Sequence, residues 1–268
     1  MSGAIGGFDH IIIGVADLDA ACLAYQRLGF TLSPRGRHIG WGTANYCIMF
    51  AGDYLELLGI LDPTQFTNNL DTRLENEGEG LLGVSFATDD ADAAHAQLSA
   101  LGAEPPKDLK RLLDLPEGSV EPAFRLVHLP PVATPGTPAF FCQHLSRDLV
   151  WREDWQQHAN GARFVAAVSA RVEDLGRARA AYSQIFGTEA ISEADGGLRV
   201  RLGAGELRLN LAGPDAPVGL AGLDIAVADI GRTAGVLEQG EVAHQRTGKR
   251  IAITPQDACG VSLAFVEA

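Results

Sequence analysis

From Gly36 to Ile60 the sequence reads GRHIGWGTANYCIMFAGDYLELLGI, and this stretch predicts a β-hairpin. A polar, glycine-rich turn leads into one strand-like run, and a short break separates that run from a second one of typical strand length. Because side chains alternate between the two faces of a strand, Glu56 shares a face with Tyr54 and Leu58. A carboxylate among residues that otherwise look buried needs a partner, since an unpaired buried charge is costly.

The composition is that of a soluble globular protein large enough for one large core or two ordinary domains. The chain has 268 residues, of which 46% are hydrophobic and 21% charged, and its formal net charge is −13. Neither a basic block nor a long apolar segment occurs, so we expect no nucleic-acid partner and no membrane span. We expect a cytoplasmic protein, because no charged leader precedes the first apolar run.

The four cysteines are widely separated and form no metal-type or disulfide-type spacing. They are Cys22, Cys47, Cys142 and Cys259. In this setting we expect them to be reduced and to pack as small apolar residues.

A fourfold internal repeat dominates the sequence. Each copy contains a short apolar strand that ends at Asp, an Ala- and Leu-rich helix and then a Gly; the strands are His10–Asp17, Gly83–Asp90, Ala167–Asp174 and Gly222–Asp229. The Asp residues are placed to cap the helices, and the Gly residues are placed where left-handed helix ends are common. Further strand-like runs follow each helix, so we predict four βαβββ modules in an α+β protein.

The modules fall into two pairs. We predict a first pair over residues 1–150, which forms a ligand-binding cup, and a second, degenerate pair over residues 160–268. One face of the first strands is uniformly apolar and should pack on the helices, while the other is mixed and small and should line the cup. We expect the proline-rich stretches Glu104–Pro122 and Pro130–Pro138 to be irregular rims or lids, and Leu145–Ala162 to be a linker with a short amphipathic turn.

Five short motifs occur in a fixed order: Phe8-Asp9-His10, Val15-Ala16-Asp17-Leu18-Asp19, Leu28-Gly29-Phe30, Arg37–Asn45 and Tyr54-Leu55-Glu56-Leu57. In this order and spacing they resemble the vicinal oxygen chelate superfamily, and more narrowly its glyoxalase-like domain proteins. The resemblance is closest over the first 60 residues, extends to about Gln143 and continues only in topology through the second half. It implies a glyoxalase/dioxygenase-like fold of paired modules in two curled mixed sheets.

The resemblance also implies a place for a divalent metal such as Mn, Fe, Mg or Zn. In the metal enzymes of the family each module offers one ligand from its first strand and one from its last. Here the first module keeps both, as His10 and Glu56. Alignment of the second module places Gly83 at the first position, so that ligand is missing, and Gln143 at the last.

Three interpretations of His10 and Glu56 remain open at this point. The two residues could ligate a metal together with Gln143 or water. Without a metal, they could act as a catalytic pair in which Glu56 holds His10 as a general base. The third interpretation is a buried hydrogen bond with no chemical role.

Other ligand-binding candidates are His38 in the glycine-rich turn, Thr43 and Asn45 on the strand after it, and Arg125 for an anionic group. Alternatively, His38 is an exposed loop residue, Thr43 and Asn45 satisfy the turn, and Arg125 is a surface charge. His128 and His144 have no partner at a metal-type spacing, so we expect them to be structural or exposed, and we expect Cys142 to be in the core.

The resemblance therefore implies a glyoxalase-like small-molecule enzyme of the lyase or isomerase type, or else a dioxygenase, which acts next to a carbonyl or vicinal oxygens with or without the help of a divalent metal. The alternative is a non-catalytic protein that binds or sequesters a small molecule. Dinucleotide-binding, phosphate-binding and nucleophilic-serine motifs are absent, so we expect no nucleotide cofactor. The oligomeric state stays open, with a homodimer as one alternative.

Overall fold

A computed structural model of the chain describes residues 5–268; residues 1–4 of the predicted first module pair lie outside the described part. The first half contains β1 (Phe8–Gly14), α1 (Leu18–Arg27), β2 (Gly36–His38), β3 (Thr43–Met49), β4 (Tyr54–Ile60), α2 (Leu70–Glu77), β5 (Gly80–Ala87), α3 (Ala91–Leu98), β6 (Lys107–Leu115), β7 (Gly118–Val120), β8 (Ala123–His128) and β9 (Ala139–His144). The second half contains β10 (Ala162–Val172), α4 (Leu175–Phe186), β11 (Ile191–Ala194), β12 (Gly197–Leu202), β13 (Gly205–Leu211), β14 (Gly219–Val227), α5 (Ile230–Gln239), β15 (His244–Thr247), β16 (Arg250–Ile253) and β17 (Leu263–Glu267).

Each module begins with a strand and an Asp-capped helix, as the repeat predicts. The carboxylates of Asp17, Asp90, Asp174 and Asp229 all accept hydrogen bonds from backbone N–H groups in the first turn of the helix that follows. Three strands then follow each helix, with β7 as an additional hairpin strand in the second module. The prediction of four βαβββ modules is confirmed.

The glycine at the fourth helix end has a different role from the one predicted. Gly29, Gly102 and Gly187 have positive φ angles, but Gly240 has φ −78°, and the neighbouring Glu241 takes a positive φ instead. A Cβ atom on Gly240 would lie 2.2 Å from the Arg27 carbonyl oxygen. Glycine is therefore required there by a close approach of α1 to the end of α5.

The first sheet closes on itself. Its strand order is β2-β3-β4-β1-β5-β9-β8-β6, and β6 pairs back onto β2, with β7 attached to the outside of β6. The closing pairs are Gly36 with Leu113, Arg37 with Leu112 and His38 with Arg111. Closure turns the sheet into an eight-stranded barrel with an interior wide enough for side chains or one small ligand.

The second sheet is open, with the order β11-β12-β13-β10-β14-β17-β16-β15. Together the sheets confirm the predicted α+β fold with two curled mixed sheets. The first sheet uses strands from residues 8–144 and the second uses strands from residues 162–267.

One hydrophobic core joins the two halves. Ile11, Ile13 and Val15 are fully buried, as the apolar face of β1 predicts, and they belong to the same cluster as Phe265 and Leu237 of the second half. Polar contacts cross the boundary as well: the Val165 N–H donates to the Asp53 carboxylate at 3.1 Å, and the Tyr25 hydroxyl donates to the Ala258 carbonyl at 3.3 Å. The halves thus stabilise each other by burial.

The prediction of an irregular stretch at Glu104–Pro122 is wrong, because β6 and β7 occupy it. In β6 the residues Arg111 and Leu113 are buried, while Lys110 and Asp114 are exposed. That alternation is the strand period, which the flanking prolines and the density of charges obscure in the sequence.

The segment between the halves forms two short 3-10 helices, Arg147–Leu149 and Glu153–Gln156. Trp151 anchors it by donating from its indole N–H to the Phe50 carbonyl at 3.0 Å. None of the described helices is both long enough and apolar enough to cross a membrane.

Candidate functional site

The interior of the first barrel holds a cavity of about 310 Å³, at the lower end of the range for small-molecule sites. One end of it is polar, and most of the remaining wall is apolar, with Asn68, Arg73 and His128 among the exceptions. The polar end is lined by His10, His38, Thr43, Asn45, Glu56 and Arg111, and the apolar wall includes Leu58, Leu82, Leu109, Phe124, Leu126 and Phe140. Such a shape accommodates a ligand with a polar head and an apolar body.

The structure brings His10 and Glu56 together inside this cavity. They lie on the neighbouring parallel strands β1 and β4, where Ile12 is opposite Glu56 and His10 is opposite Tyr54. His10 Nε2 and Glu56 Oε2 are 3.5 Å apart, and both side chains are buried. The alternation of strand faces that the sequence predicts is sufficient to explain their meeting.

Asp9 is a partner of His10 that the sequence reasoning missed. The pairing of β1 with β5 shifts register between Phe8 and His10, so Asp9 is the extra residue of a β-bulge. Bulges turn a side chain away from the regular alternation and are frequent beside active sites. The Asp9 carboxylate lies 2.5 Å from His10 Nδ1 and 3.1 Å from His144 Nε2.

The environment keeps Asp9 ionised. Burial alone would raise the pKa of Asp9, but the field of His144 and the hydrogen bonds from His10 and His144 outweigh it and hold this pKa well below its usual range. An ionised carboxylate can only accept hydrogen bonds. His10 therefore carries a proton on Nδ1 and directs Nε2 towards Glu56 and the cavity.

His38, Thr43 and Asn45 also line the polar end. His38 Nδ1 lies 2.8 Å from Thr43 Oγ1, and the Asn45 amide donates to Glu56 Oε1 at 2.6 Å. His38 Nε2 is 3.8 Å from Glu56 Oε1. Burial lowers the pKa of His38, and Arg111 and His10 lower it further against the opposing field of Glu56. His38 is consequently a neutral imidazole next to the Glu56 carboxylate.

Arg111 is a second residue that the sequence reasoning missed, because it lies in the stretch interpreted as irregular. Its side chain comes from β6, directly opposite His38 in the closing pairs of the barrel. Arg111 Nη1 donates to Asn45 Oδ1 at 3.3 Å and to Cys47 Sγ at 3.0 Å. Asn45 thus links Arg111 to Glu56.

Two predicted site residues lie outside the cavity. Arg125 pairs with Asp92 at 2.5 Å and with Asp108 at 3.4 Å on the outer surface of β8, so its predicted place in the cup is wrong. Gln143 donates to the Asp89 carbonyl at 2.8 Å and accepts from the Ala91 N–H at 3.1 Å. It supports the start of α3 on the far side of the sheet, so the prediction that it ligates a metal in the cup is wrong too.

The error at Gln143 is a matter of register. Ile12 and Ser85 each lie five residues before the capping Asp of their module, and they pair with Glu56 and Phe140, respectively. Phe140, rather than Gln143, therefore corresponds to Glu56.

The second module thus offers no metal ligand at either expected position, since Gly83 and Phe140 carry no donor atom. His10 and Glu56 provide half of the set that the resemblance implies. The residues present do not fit that metal site.

A different group in the described part of the chain has donors close enough to hold a metal ion. Donor atoms of Asp9, Cys142 and His144 lie within 4.8 Å of one another. The thiolate is the form of cysteine that binds metals, whereas burial and the fields of Asp9 and Glu56 raise the pKa of Cys142 well above its usual value. Cys142 is buried, as predicted for a core residue. His144, predicted to be structural or exposed, is a direct partner of Asp9.

The sequence matches the family described as Glyoxalase-like domain over residues 8–186, which include the complete first barrel, β10 and α4. No curated protein sequence matches the chain significantly.

Several solved structures share the fold. A hypothetical protein from Staphylococcus aureus aligns with a TM-score of 0.70 at 15% identity, covering 97% of this chain and 99% of that one. A xylose isomerase-like TIM barrel/4-hydroxyphenylpyruvate dioxygenase fusion protein aligns with a TM-score of 0.63 at 13% identity, over 100% of this chain and 49% of that one. A mutant of 4-hydroxymandelate synthase from Streptomyces coelicolor also reaches 0.63, at 14% identity over 98% and 93% of the two chains. At these identities the similarity establishes the fold alone.

Proposed function

Because the chain belongs to the glyoxalase-like domain family, we propose that the barrel cavity is the active site of a small-molecule enzyme of the lyase or isomerase type. The reaction is the movement of a proton at a carbon next to a carbonyl group. The observation that carries this proposal is the continuous chain of contacts from Asp9 through His10 to Glu56, which ends in the cavity.

In this mechanism His10 is the general base. Its Nε2 lone pair takes the proton, so a C–H bond breaks, an N–H bond forms and the electron pair moves onto the carbonyl oxygen of the substrate. The resulting imidazolium lies between the carboxylates of Asp9 and Glu56, which stabilise its charge. His10 then returns the proton to a neighbouring atom of the substrate, which completes an isomerisation or allows a group to leave.

Proton abstraction can be measured without knowing the natural substrate. We expect the protein to catalyse exchange of C–H for C–D in deuterated water on members of a panel of ketones, 2-hydroxy ketones and 2-oxo acids with apolar tails, followed by proton NMR. His10→Gln and Glu56→Gln should each slow the exchange by about 100-fold or more, since general-base catalysis contributes about that much.

Arg125→Gln is the matched control, because it removes a predicted site residue that lies outside the cavity. It should leave the exchange rate unchanged. Exchange at the wild-type rate in either the His10 or the Glu56 variant would eliminate the acid–base role.

Metal assistance is the alternative route for the same chemistry. Since the expected ligand positions of the second module hold Gly83 and Phe140, we propose that proton transfer does not require a metal at His10 and Glu56. Exchange should then persist after dialysis against EDTA. Loss of exchange on chelation, restored by Mn, Fe, Mg or Zn, would contradict this assignment.

A binding protein without catalytic activity is the second candidate, and the missing ligand positions favour it. In that case members of the panel would bind in the cavity, Glu56→Gln would alter their affinity, and no exchange above the uncatalysed rate would occur.

A further inference from the structure

Arg111 is a buried cation without an anionic partner. Its side chain is only 3% exposed, and it lines the polar end of the cavity. Within residues 5–268, no carboxylate lies within 4.0 Å of its guanidinium nitrogens, and its Nε atom is buried without any hydrogen-bond partner.

The two hydrogen bonds that Arg111 donates go to neutral groups, and the Glu56 carboxylate acts on its charge only at a distance, without direct contact. Asn45 is a neutral amide. Cys47 is a thiol, and burial raises the pKa of Cys47, so it stays neutral at physiological pH. A guanidinium remains protonated in proteins, and burying it without a counter-ion is unfavourable.

A ligand carboxylate would complete this arrangement. The guanidinium is a planar fork of donors that matches the two oxygens of a carboxylate. The other cation on the cavity wall, Arg73, already donates to the Leu82 carbonyl at 2.9 Å and lies 3.8 Å from Glu77. Arg111 is thus the cation left for a ligand.

The neighbouring walls indicate the rest of the molecule. Leu109, Phe124, Leu126 and Phe140 form an apolar surface on the same side of the barrel as Arg111, and the guanidinium lies 5.7 Å from the Phe124 ring centre. Asn45 connects Arg111 to Glu56 in two hydrogen bonds, and Glu56 lies 3.5 Å from the general base His10, so the anion would lie close to the reacting atoms.

We propose that Arg111 is the anion-recognition residue of the site, and that its ligands are small carboxylates with an apolar or aromatic body. This rests on the proposed function and narrows its substrate class to acids whose reacting carbonyl is near the carboxylate, as in 2-oxo acids.

The test is a comparison of matched ligand pairs by isothermal titration calorimetry: phenylacetate against phenylacetamide, and 3-phenylpropionate against its amide. The wild-type protein should bind each acid at least about tenfold more tightly than its amide, because removing one partner of a buried charge pair weakens binding by at least that factor. Arg111→Met should abolish this preference by weakening only the acids. Arg111→Lys should keep part of it.

Arg125→Met is the control, because it removes a cation outside the cavity and should keep the preference for acids. Thermal unfolding shows whether the Arg111→Met protein folds. If that variant does not fold, the wild-type ligand pairs and the Arg111→Lys variant still show whether Arg111 recognises the carboxylate. Equal binding of acid and amide by the wild-type protein, or failure of both acids to bind in the millimolar range, overturns the proposal.

The outcome is separable from that of the proposed function. Arg111-dependent binding of carboxylates without any C–H exchange would refute the enzyme while keeping the anion site. Exchange confined to neutral ketones would refute the anion site while keeping the enzyme.

Discussion

The Asp9 carboxylate is shared by two imidazoles, those of His10 and His144. Because Asp9 is ionised, it fixes the proton of His10 on Nδ1 and frees Nε2 for the cavity. It also stabilises the positive charge that His10 acquires as a base. Asp9 is accordingly a positioning residue that acts through His10.

Asp9→Asn should lower the maximal exchange rate by about 100-fold with little change in the KM of the substrate. The amide can still accept a hydrogen bond, but it no longer compensates an imidazolium and can present its NH2 group to His10 instead. The measurement is the rate of C–H exchange as a function of substrate concentration.

His144→Phe is the companion variant, since it removes the other partner of the same carboxylate while keeping an aromatic ring against Phe124 and Tyr54 of the cavity wall. It should cost stability while leaving the exchange rate within a few-fold of wild type. An Asp9→Asn protein with wild-type maximal rate would show that Asp9 has no positioning role.

Strand alternation assigned His10, Glu56, Thr43 and Asn45 to faces that line the polar end in the structure. His38 was proposed only from its position in the glycine-rich turn. Prediction from alternation failed where a strand was irregular, or where the residue that begins the alternation on a given face was not known. Asp9 lies on a bulge, which suspends the alternation. In β9 an alignment shift of three residues moved the expected ligand from Phe140 to Gln143 on the opposite face, because an odd shift exchanges the faces.

Among the elements, the junction of α1 and α5 depends on a glycine. Arg27 at the end of α1 donates from Nε and Nη2 to the carbonyls of Gly240 and Glu241, both at 3.0 Å. This contact connects the first and second halves of the chain and leaves no space for a Cβ atom at Gly240.

Gly240→Ala should lower the free energy of unfolding by about 2 kcal/mol, because the new methyl group overlaps a backbone oxygen that cannot move freely. Gly235→Ala is the control in the same helix, where a Cβ atom would have nothing within 4 Å. It should stabilise by roughly 0.5–1 kcal/mol through helix propensity. Urea unfolding measures both, and equal effects would refute the steric explanation.

The repeated elements were predictable, since the Asp caps and apolar strands occur four times. Strand β6 was not predictable, because its charges and the prolines on either side of it are typical of a loop. Its partner β2 also lies some seventy residues away in the sequence. Pairing over such a separation depends on tertiary contacts that no local pattern reports.

At the level of the complete chain, the protonation of Asp53 makes the stability of the folded protein depend on pH. It lies before β4, is buried, and accepts hydrogen bonds from the Val165 N–H of β10. Burial raises the pKa of Asp53 from 3.8 to about 7, against the effect of the Val165 hydrogen bonds. The folded protein therefore holds this proton over a pH range in which the unfolded chain has released it.

Stability should consequently fall as the pH rises from about 4 to about 7, and the loss should be complete above that range. One pKa unit corresponds to about 1.4 kcal/mol, so the contribution of Asp53 is at most about 4 kcal/mol. Urea unfolding at several pH values should show this slope in the wild-type protein and a reduced slope in Asp53→Asn. The exposed Asp215→Asn provides the control, and an unchanged slope in Asp53→Asn would contradict the assignment.

The closure of the barrel by a very short strand has a kinetic consequence. β2 is three residues long and joins β3 by two residue pairs and β6 by three, one of which sets His38 against Arg111. Transient loss of the β2–β6 pairing would open the barrel through the polar end of the cavity. It would also separate Arg111 from Asn45. A ligand that contacts both β2 and β6 would hold the two strands together. The amide protons of residues 36–38 would then exchange with solvent more slowly when that ligand is bound.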